Sequence, residues 1–325
     1  MNEKRSFSLS LPEIGVILFI IVVSVLLLLP ARQGGGGSPR TQCRNNIRNL
    51  AMACLVYESY HKTLPPGGWG NGWAGDPNRS DGKTQPGGWM YAILPHLEQK
   101  ELYLAGMEAG EAEKPEMIME AQKTPIFLFH CPSRRPPIQY PTKAAFFNSG
   151  SPGLMAKTDY AGSGGDGKTL TEFVSGRGMD AFTEEDWEKL EPGDTNGVFR
   201  RRSGMPMSAI TDGAAQTYLL GEKTLQPEAY LTGKAVGDDH GWNVGYDDDI
   251  IRFTAHARPE IVKPAQDKKG HVSPVFAFGS THGNSFNMAL ADGSLQAIDY
   301  KIAPEVHANL GIRNDGQDMS KHLDD

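Results

Sequence analysis

The chain has 325 residues, a net charge of −7 and a mean hydropathy of −0.42. An acidic balance without any Lys/Arg block lacks the basic footprint that nucleic-acid phosphates require, and the length suits one large domain or two small ones. The 38 glycines and 22 prolines favour a loop-rich, sheet-rich body; the three cysteines are too few for a disulfide scaffold and show no zinc-type C-x-x-C spacing.

The first element lies in "SLSLPEIGVILFIIVVSVLLLLPARQGGGG" (8–37). No charge interrupts Ile14 to Leu29, and a helix from Leu9 to Leu29 spans about 31 Å, close to the ~30 Å hydrocarbon core of a bilayer. A secretory signal has a shorter apolar stretch followed by small residues at a cleavage site, whereas Arg32 and Gln33 follow here. The segment predicts a retained membrane anchor. Glu13, beside Pro12 at its entrance, costs about 2–3 kcal/mol at bilayer depth unless it is paired or interfacial.

On these residues the N-terminus resembles that of type IV prepilins and pseudopilins, in which a peptidase removes a short basic leader ahead of an apolar helix whose fifth mature residue is glutamate. With Glu13 at that fifth position, Leu9 becomes the first mature residue and Ser8 the residue before the cut. MNEKRSFS is then the leader, with Lys4 and Arg5 as its basic pair. Ser8 and Leu9 stand where the family usually has Gly and Phe. The resemblance implies a prepilin peptidase, other pilin-like subunits and membrane lipid as partners, with Glu13 pairing with a neighbouring subunit's N-terminal amine during assembly. Arg32, Arg40, Arg44 and Arg48 outnumber Lys4 and Arg5, so a plain positive-inside count leaves orientation open. The prepilin pattern implies a single pass through the inner (cytoplasmic) membrane with an extracytoplasmic body.

Gly34 to Gly37 break the helix, since each glycine costs about 1 kcal/mol relative to Ala in a helix. Ser38-Pro39 then reads as an N-cap with proline at the first helical position. "TQCRNNIRNLAMACLVYESYHKTLPPGG" (41–68) places Ile47, Leu50, Cys54 and Tyr57 at helical spacing and stops at Pro65-Pro66. Cys43 and Cys54 lie eleven positions apart on this helix, about 16 Å and too far to bridge, so any disulfide includes Cys131.

Further on, Ile126 to Phe129 reads as a strand delivering Cys131. Asp212-Gly213 reads as a turn leading into the buried strand "TYLLGE" (217–222). Phe286, Met288 and Leu290 alternate, Asp292-Gly293 predicts a type I′ turn, and Leu295 and Ala297 return, giving a hairpin with one apolar face. The acidic and glycine-rich stretches 106–124 and 163–195 read as insertions or loops.

The body resembles a large family that joins a prepilin-type N-terminus to a bacterial domain of unknown function, catalogued in places as a solute-binding family. Beyond 41–68, the likeness is carried in order by "GWMYAILPHLEQKELY" (88–103), "FHCPS" (129–133), "KTDYAGSGG" (157–165), "AITDGAAQTYLLGEKT" (209–224), "HGNSFNMALADGSLQAID" (282–299) and "EVHANLGIRNDGQ" (305–317). Cys43 and Cys131 both lie in such blocks, which implies a Cys43–Cys131 bridge, with Cys54 as a free core thiol. The expected fold is α+β: after the transmembrane helix, a pilin-like domain with a helix packed on antiparallel β-sheet and large loop insertions. The expected segments are a leader (1–8), a transmembrane helix (9–32), a glycine-rich hinge (33–38) and the extracytoplasmic domain (39–325).

Several motifs tempt toward chemistry. "GSGGDGKT" (162–169) satisfies the phosphate-loop pattern G-x-x-x-x-G-K-[ST], but "MAKTDYA" before it does not read as a buried strand, and Gly176 follows too soon for a long helix. No nucleotide is expected. Asp238, Asp239, Asp247, Asp248 and Asp249 match no EF-hand spacing and read as a solvated acidic loop, although some pseudopilins bind calcium in this region. His240, His256, His271 and His282 form no H-x-x-x-H pair, so no metal is expected. No nucleophile elbow occurs. The tryptophans of 67–89 suit either a glycan platform or loop anchors on the core. The expected function is a membrane-anchored, pilin-like structural or assembly protein, without catalysis or cofactor. The alternative is an anchored extracytoplasmic module that binds a solute or glycan.

Overall fold

A computed structural model describes residues 10–28, 38–79, 82–167, 184–189, 195–255, 262–272 and 274–323. The chain divides into two units, Met1–Gly37 and Ser38–Asp325. In the first, helix α1 covers Leu11–Leu28. Ser10 precedes it and donates both its backbone N–H and its hydroxyl to Glu13 Oε2, each at 2.8 Å. The backbone bond is the return half of a capping box, so Glu13 is occupied locally at the helix start. Leu11, Val16, Leu18, Phe19 and Ile20 are exposed. Among the described residues no helix is long and apolar enough to cross a membrane; the 18 residues of α1 span about 27 Å. Ser8, Leu9 and Gly34 to Gly37 lie outside the described residues.

The second unit opens with helix α2, Pro39–His61. Ser38 accepts from the Thr41 N–H as N-cap, and Lys62 closes the helix in the left-handed conformation at φ 62°, ahead of Pro65-Pro66. Cys43, Ile47, Leu50, Cys54 and Tyr57 form its buried stripe, as the 3.6-residue period requires.

That stripe packs over β4 (Tyr218–Glu222) and β6 (Ser285–Leu290). These are two of the three inner strands of a five-stranded sheet with β3 (Tyr160–Ser163), β5 (Ile251–Arg252) and β7 (Leu295–Asp299), in the order β5-β3-β4-β6-β7. A separate antiparallel pair joins β1 (Gln139–Pro141) to β2 (Leu154–Ala156). The sheet is mixed and not purely antiparallel, because β5 lies parallel to β3. Thr217 to Glu222 behaves as read: β4 covers Tyr218–Glu222 and is buried along its whole length.

Both faces of the hairpin strand β6 are covered, where the sequence suggested one. Phe286, Met288 and Leu290 join Tyr218, Phe278, Ile298 and Leu310 in one cluster, while Ala289 and Ala291 join the cluster containing α2. The turn also differs. Gly293 has φ +87° and Asp292 is not left-handed, so a type I′ turn, which needs positive φ at both central residues, is ruled out. Gly293 N–H bonds Leu290 O and Leu290 N–H bonds Ser294 O, the pattern of a three-residue loop closed by a glycine bulge.

Ile126 to Phe129 is not a strand. Phe127–Phe129 forms one 3₁₀ turn, with Phe127 exposed and Phe129 buried, and the flanking Pro125 and Pro132 have no N–H for a ladder. The stretch 106–124 contains a helix, Lys114–Gln122, whose buried Ile118 and Ala121 tie it to the body. In 163–195 a short helix spans Glu184–Lys189, and residues 168–183 and 190–194 lie outside the described residues.

Candidate functional site

Cys43, in the second turn of α2, is bonded to Cys131, with Cα atoms 5.2 Å apart across 88 residues of sequence. Cys54 is buried and free, and burial pushes its thiol pKa up. The bridge delivers the Cys131–Arg135 turn to one end of the sheet, where Asp159 at the start of β3 accepts the Cys131 N–H at 2.7 Å. Glu222, at the end of β4, accepts from Asn287 N and Nδ2 at 2.7 and 2.9 Å and faces His282 Nε2 at 3.0 Å.

The tryptophans of 67–89 are loop anchors and not a glycan platform. Trp69, Trp73 and Trp89 are buried, and the indoles of Trp69 and Trp89 donate to Lys83 O and Ile250 O at 2.8 Å each. The phosphate-loop look-alike is corrected in a different way. A buried strand, β3, does lead into the motif and holds its first glycine, Gly162, but the space beside its glycines is filled by protein. A Cβ on Gly162 would collide with Phe199, on Gly164 with Phe253, and on Gly165 with Asn196 and the backbone of Gly197. Lys168 and Thr169 lie outside the described residues.

The largest correction concerns the acidic cluster. Asp238, Asp247, Asp248 and Asp249 are buried, because cations from distant segments converge on them. Arg135 clamps Asp238 through Nη1 and Nη2 at 2.5 and 2.8 Å and reaches Asp159 with Nε at 3.0 Å. Arg134 donates to Asp267 at 2.9 Å and to Lys223 O at 2.7 Å. Lys223 donates to Gly237 O at 2.9 Å and Asp249 O at 2.8 Å, with Asp238 at 3.4 Å. Arg252 donates to the carbonyls of Asp248 and Gly237. Charges withdrawn from water this completely are tolerable only when paired. None of these cations was singled out from the sequence. The only trace there is a charged residue set at the end of an apolar run, as in "YLLGEK" (218–223).

The layer meets solvent at a cleft of about 270 Å³ lined by Asn71, Gly72, Lys143, Phe147, Asp239 and His240 among others. His240 Nδ1 lies 3.5 Å from Asp239 Oδ1, 3.9 Å from Asp247 Oδ1 and 3.8 Å from Asp249 Oδ2. Burial opposes its charged form, but the nearby carboxylates of Asp247, Asp239 and Asp249 outweigh burial and push its pKa up to about 10. Burial, reinforced by Asp249, pushes Asp248 up to about 6. Burial also raises Asp247, against the pull of His240. Asp238 goes the other way: burial is overcome by Arg135 and Lys223, which hold it below the usual range.

Asp239, His240 and Asp249, and likewise Asp247, Asp248 and Asp249, bring potential ligand atoms within 4.8 Å of one another. His282 and Glu222 stand beside Cys43 and Cys131 in a third such group, whose sulfurs are spent in the disulfide. His271 belongs to none of these groups, and His256 lies outside the described residues.

A helix on a mixed sheet, stapled by one disulfide and closed at one end by buried ion pairs, defines an α+β domain. Residues 39–305 match the family described as a protein of unknown function, DUF1559. The chain belongs to that family. No curated protein matches it, and no solved structure does.

Proposed function

We propose that the chain is a membrane-anchored, pilin-like structural or assembly protein without catalysis, held in the inner membrane by segment 9–32 with residues 39–325 outside the cytoplasm. The observation that carries this reading is the bare α1: Leu11, Val16, Leu18, Phe19 and Ile20 are exposed on a helix that holds no charge beyond Glu13. Apolar side chains left in water forgo about 1.5–3 kcal/mol each, and a bilayer recovers it. The anchor of this proposal is longer than α1 and takes in residues outside the described range. The Cys43–Cys131 disulfide supports an oxidising compartment for the body, and α2 laid on a sheet supports the pilin-like comparison.

In this reading a prepilin peptidase cuts between Ser8 and Leu9, and the new amine of Leu9 exchanges for Ser10 as a partner of Glu13 on a neighbouring subunit. Sequencing the N-terminus of protein purified from its own membranes is the test. A start at Leu9 or Met1 is expected, and a start at or beyond Gln33 refutes the anchor. Glu13→Ala is expected to abolish cross-linking between subunits while the protein stays in the membrane fraction; unchanged cross-linking refutes the assembly role.

The cleft at His240 favours a second reading, an anchored module that binds a solute. Saturable binding of a small solute by the purified chain, lost on filling the cleft with Ala145→Trp, distinguishes it from the first.

A further inference from the structure

Asp249 is unlike its neighbours. Its side chain is 1 % exposed, yet neither carboxylate oxygen accepts a hydrogen bond. A buried carboxylate without donors carries its full desolvation penalty. His240 Nδ1, which faces it, also has no hydrogen-bond partner. Neighbouring cations do not fill the gap. Lys223 reaches Asp249 Oδ1 only at 4.0 Å and directs its hydrogen bonds to Gly237 O and Asp249 O. The buried ammonium of Lys157 makes no hydrogen bond.

The separations around His240 Nδ1, 3.5, 3.8 and 3.9 Å, are too long for hydrogen bonds, which run about 2.7–3.2 Å. They approach the edges of a coordination tetrahedron instead: bonds of about 2.0–2.2 Å give edges of roughly 3.3–3.6 Å. We propose that Asp239, His240 and Asp249, whose ligand atoms lie within 4.8 Å of one another, hold a divalent cation of the borderline class, Mn²⁺ or Zn²⁺, with Asp247 and Asp248 beside them. The donor set decides the class. An imidazole nitrogen among carboxylates suits Zn²⁺ and is tolerated by Mn²⁺, whereas Ca²⁺ and Mg²⁺ take oxygen shells. The cation enters from the cleft, whose wall is Asp239 and His240, and meets Asp249 behind them. The site stands independently of the pilin-like reading, because it needs neither a membrane nor a second subunit.

The test uses the full chain in detergent, stripped with chelator and then equilibrated with Mn²⁺, Zn²⁺, Ca²⁺ or Mg²⁺ in turn. Metal content, Mn²⁺ spin resonance and melting temperature are read. One equivalent of Mn²⁺ or Zn²⁺ is expected, with a rise in melting temperature on binding. Asp239→Asn and His240→Gln, both at the cleft wall, are expected to weaken binding by about tenfold or more while the metal-free protein keeps its fold by circular dichroism. Asp249→Asn is expected to abolish binding; if that variant does not fold, the two wall variants decide. No stoichiometric uptake of Mn²⁺ or Zn²⁺, uptake of Ca²⁺ alone, or Mn²⁺ or Zn²⁺ affinity unchanged by His240→Gln each overturns the proposal.

Discussion

Removing the disulfide is the sharpest perturbation of this fold. The paired change Cys43→Ala and Cys131→Ala deletes a cross-link that closes 88 residues of sequence. In the chain-entropy account a loop of that length stabilises the folded state by about 4–5 kcal/mol at 25 °C. Both sulfurs are buried, and losing each adds about 1 kcal/mol of transfer free energy. The expected loss is therefore about 6–7 kcal/mol, a large part of the ~5–15 kcal/mol typical of a domain. Urea denaturation of the full chain in detergent, followed by tryptophan fluorescence, reads it as a shift in midpoint. Alkylation reports the pairing directly: no thiol reacts in the native unreduced protein, Cys54 alone reacts on unfolding, and all three react after reduction. A paired variant within about 1 kcal/mol of the wild type would refute the reasoning, as would alkylation of Cys43 or Cys131 without reductant.

Three further outcomes follow from named contacts. Burial pushes His307 down to about 3, while the unfolded chain titrates near 6.5. Between those values the unfolded state holds the extra proton and stability falls as pH drops. At pH 5 that term is about 2 kcal/mol, and His307→Gln should remove it from the difference between urea midpoints at pH 7 and pH 5. Asp267 accepts from Arg134, Thr224, Leu225 and Tyr230, so Asp267→Ala should cost about 3–5 kcal/mol by stranding a buried guanidinium; a loss under 1 kcal/mol would show that water replaces the carboxylate. Gly165 has φ +87° and no room for a Cβ, so Gly165→Ala should destabilise by more than about 1 kcal/mol without changing any nucleotide affinity, measured by equilibrium dialysis with ATP.

What the sequence discloses follows the range of the physics involved. Helix α2 is legible because Ser38-Pro39, the Ile47–Leu50–Cys54–Tyr57 stripe and Pro65 all act locally. Strand β4 is legible as an unbroken apolar run, and the β6–β7 hairpin as a period of two around Asp292-Gly293. The second covered face of β6 is not, since Ala289 and Ala291 look neutral until α2 lies over them. The acidic cluster misleads most. A run of aspartates reads as solvated unless its partners are known, and Arg135, Lys223 and Arg252 come from three separate segments. Phe127 and Phe129 suggested a strand, but no neighbour offers that segment a ladder. Burial of charge is a property of the assembled end of the sheet, and no window of sequence contains it.

The position of the staple also determines how the body bears load. A pull arriving along the chain from residue 37 meets α2 at Pro39, and Cys43 lies in its second turn. Only Pro39 to Gln42 can unwind before the tension crosses the disulfide to Cys131. From there it passes into the turn carrying Arg134 and Arg135, whose guanidiniums grip Asp267, Asp159 and Asp238 at the end of the sheet. Force therefore enters this domain through a covalent bond and passes to several buried ion pairs. The helix is not peeled away turn by turn, and a tether at the N-terminus strains the body as a single piece.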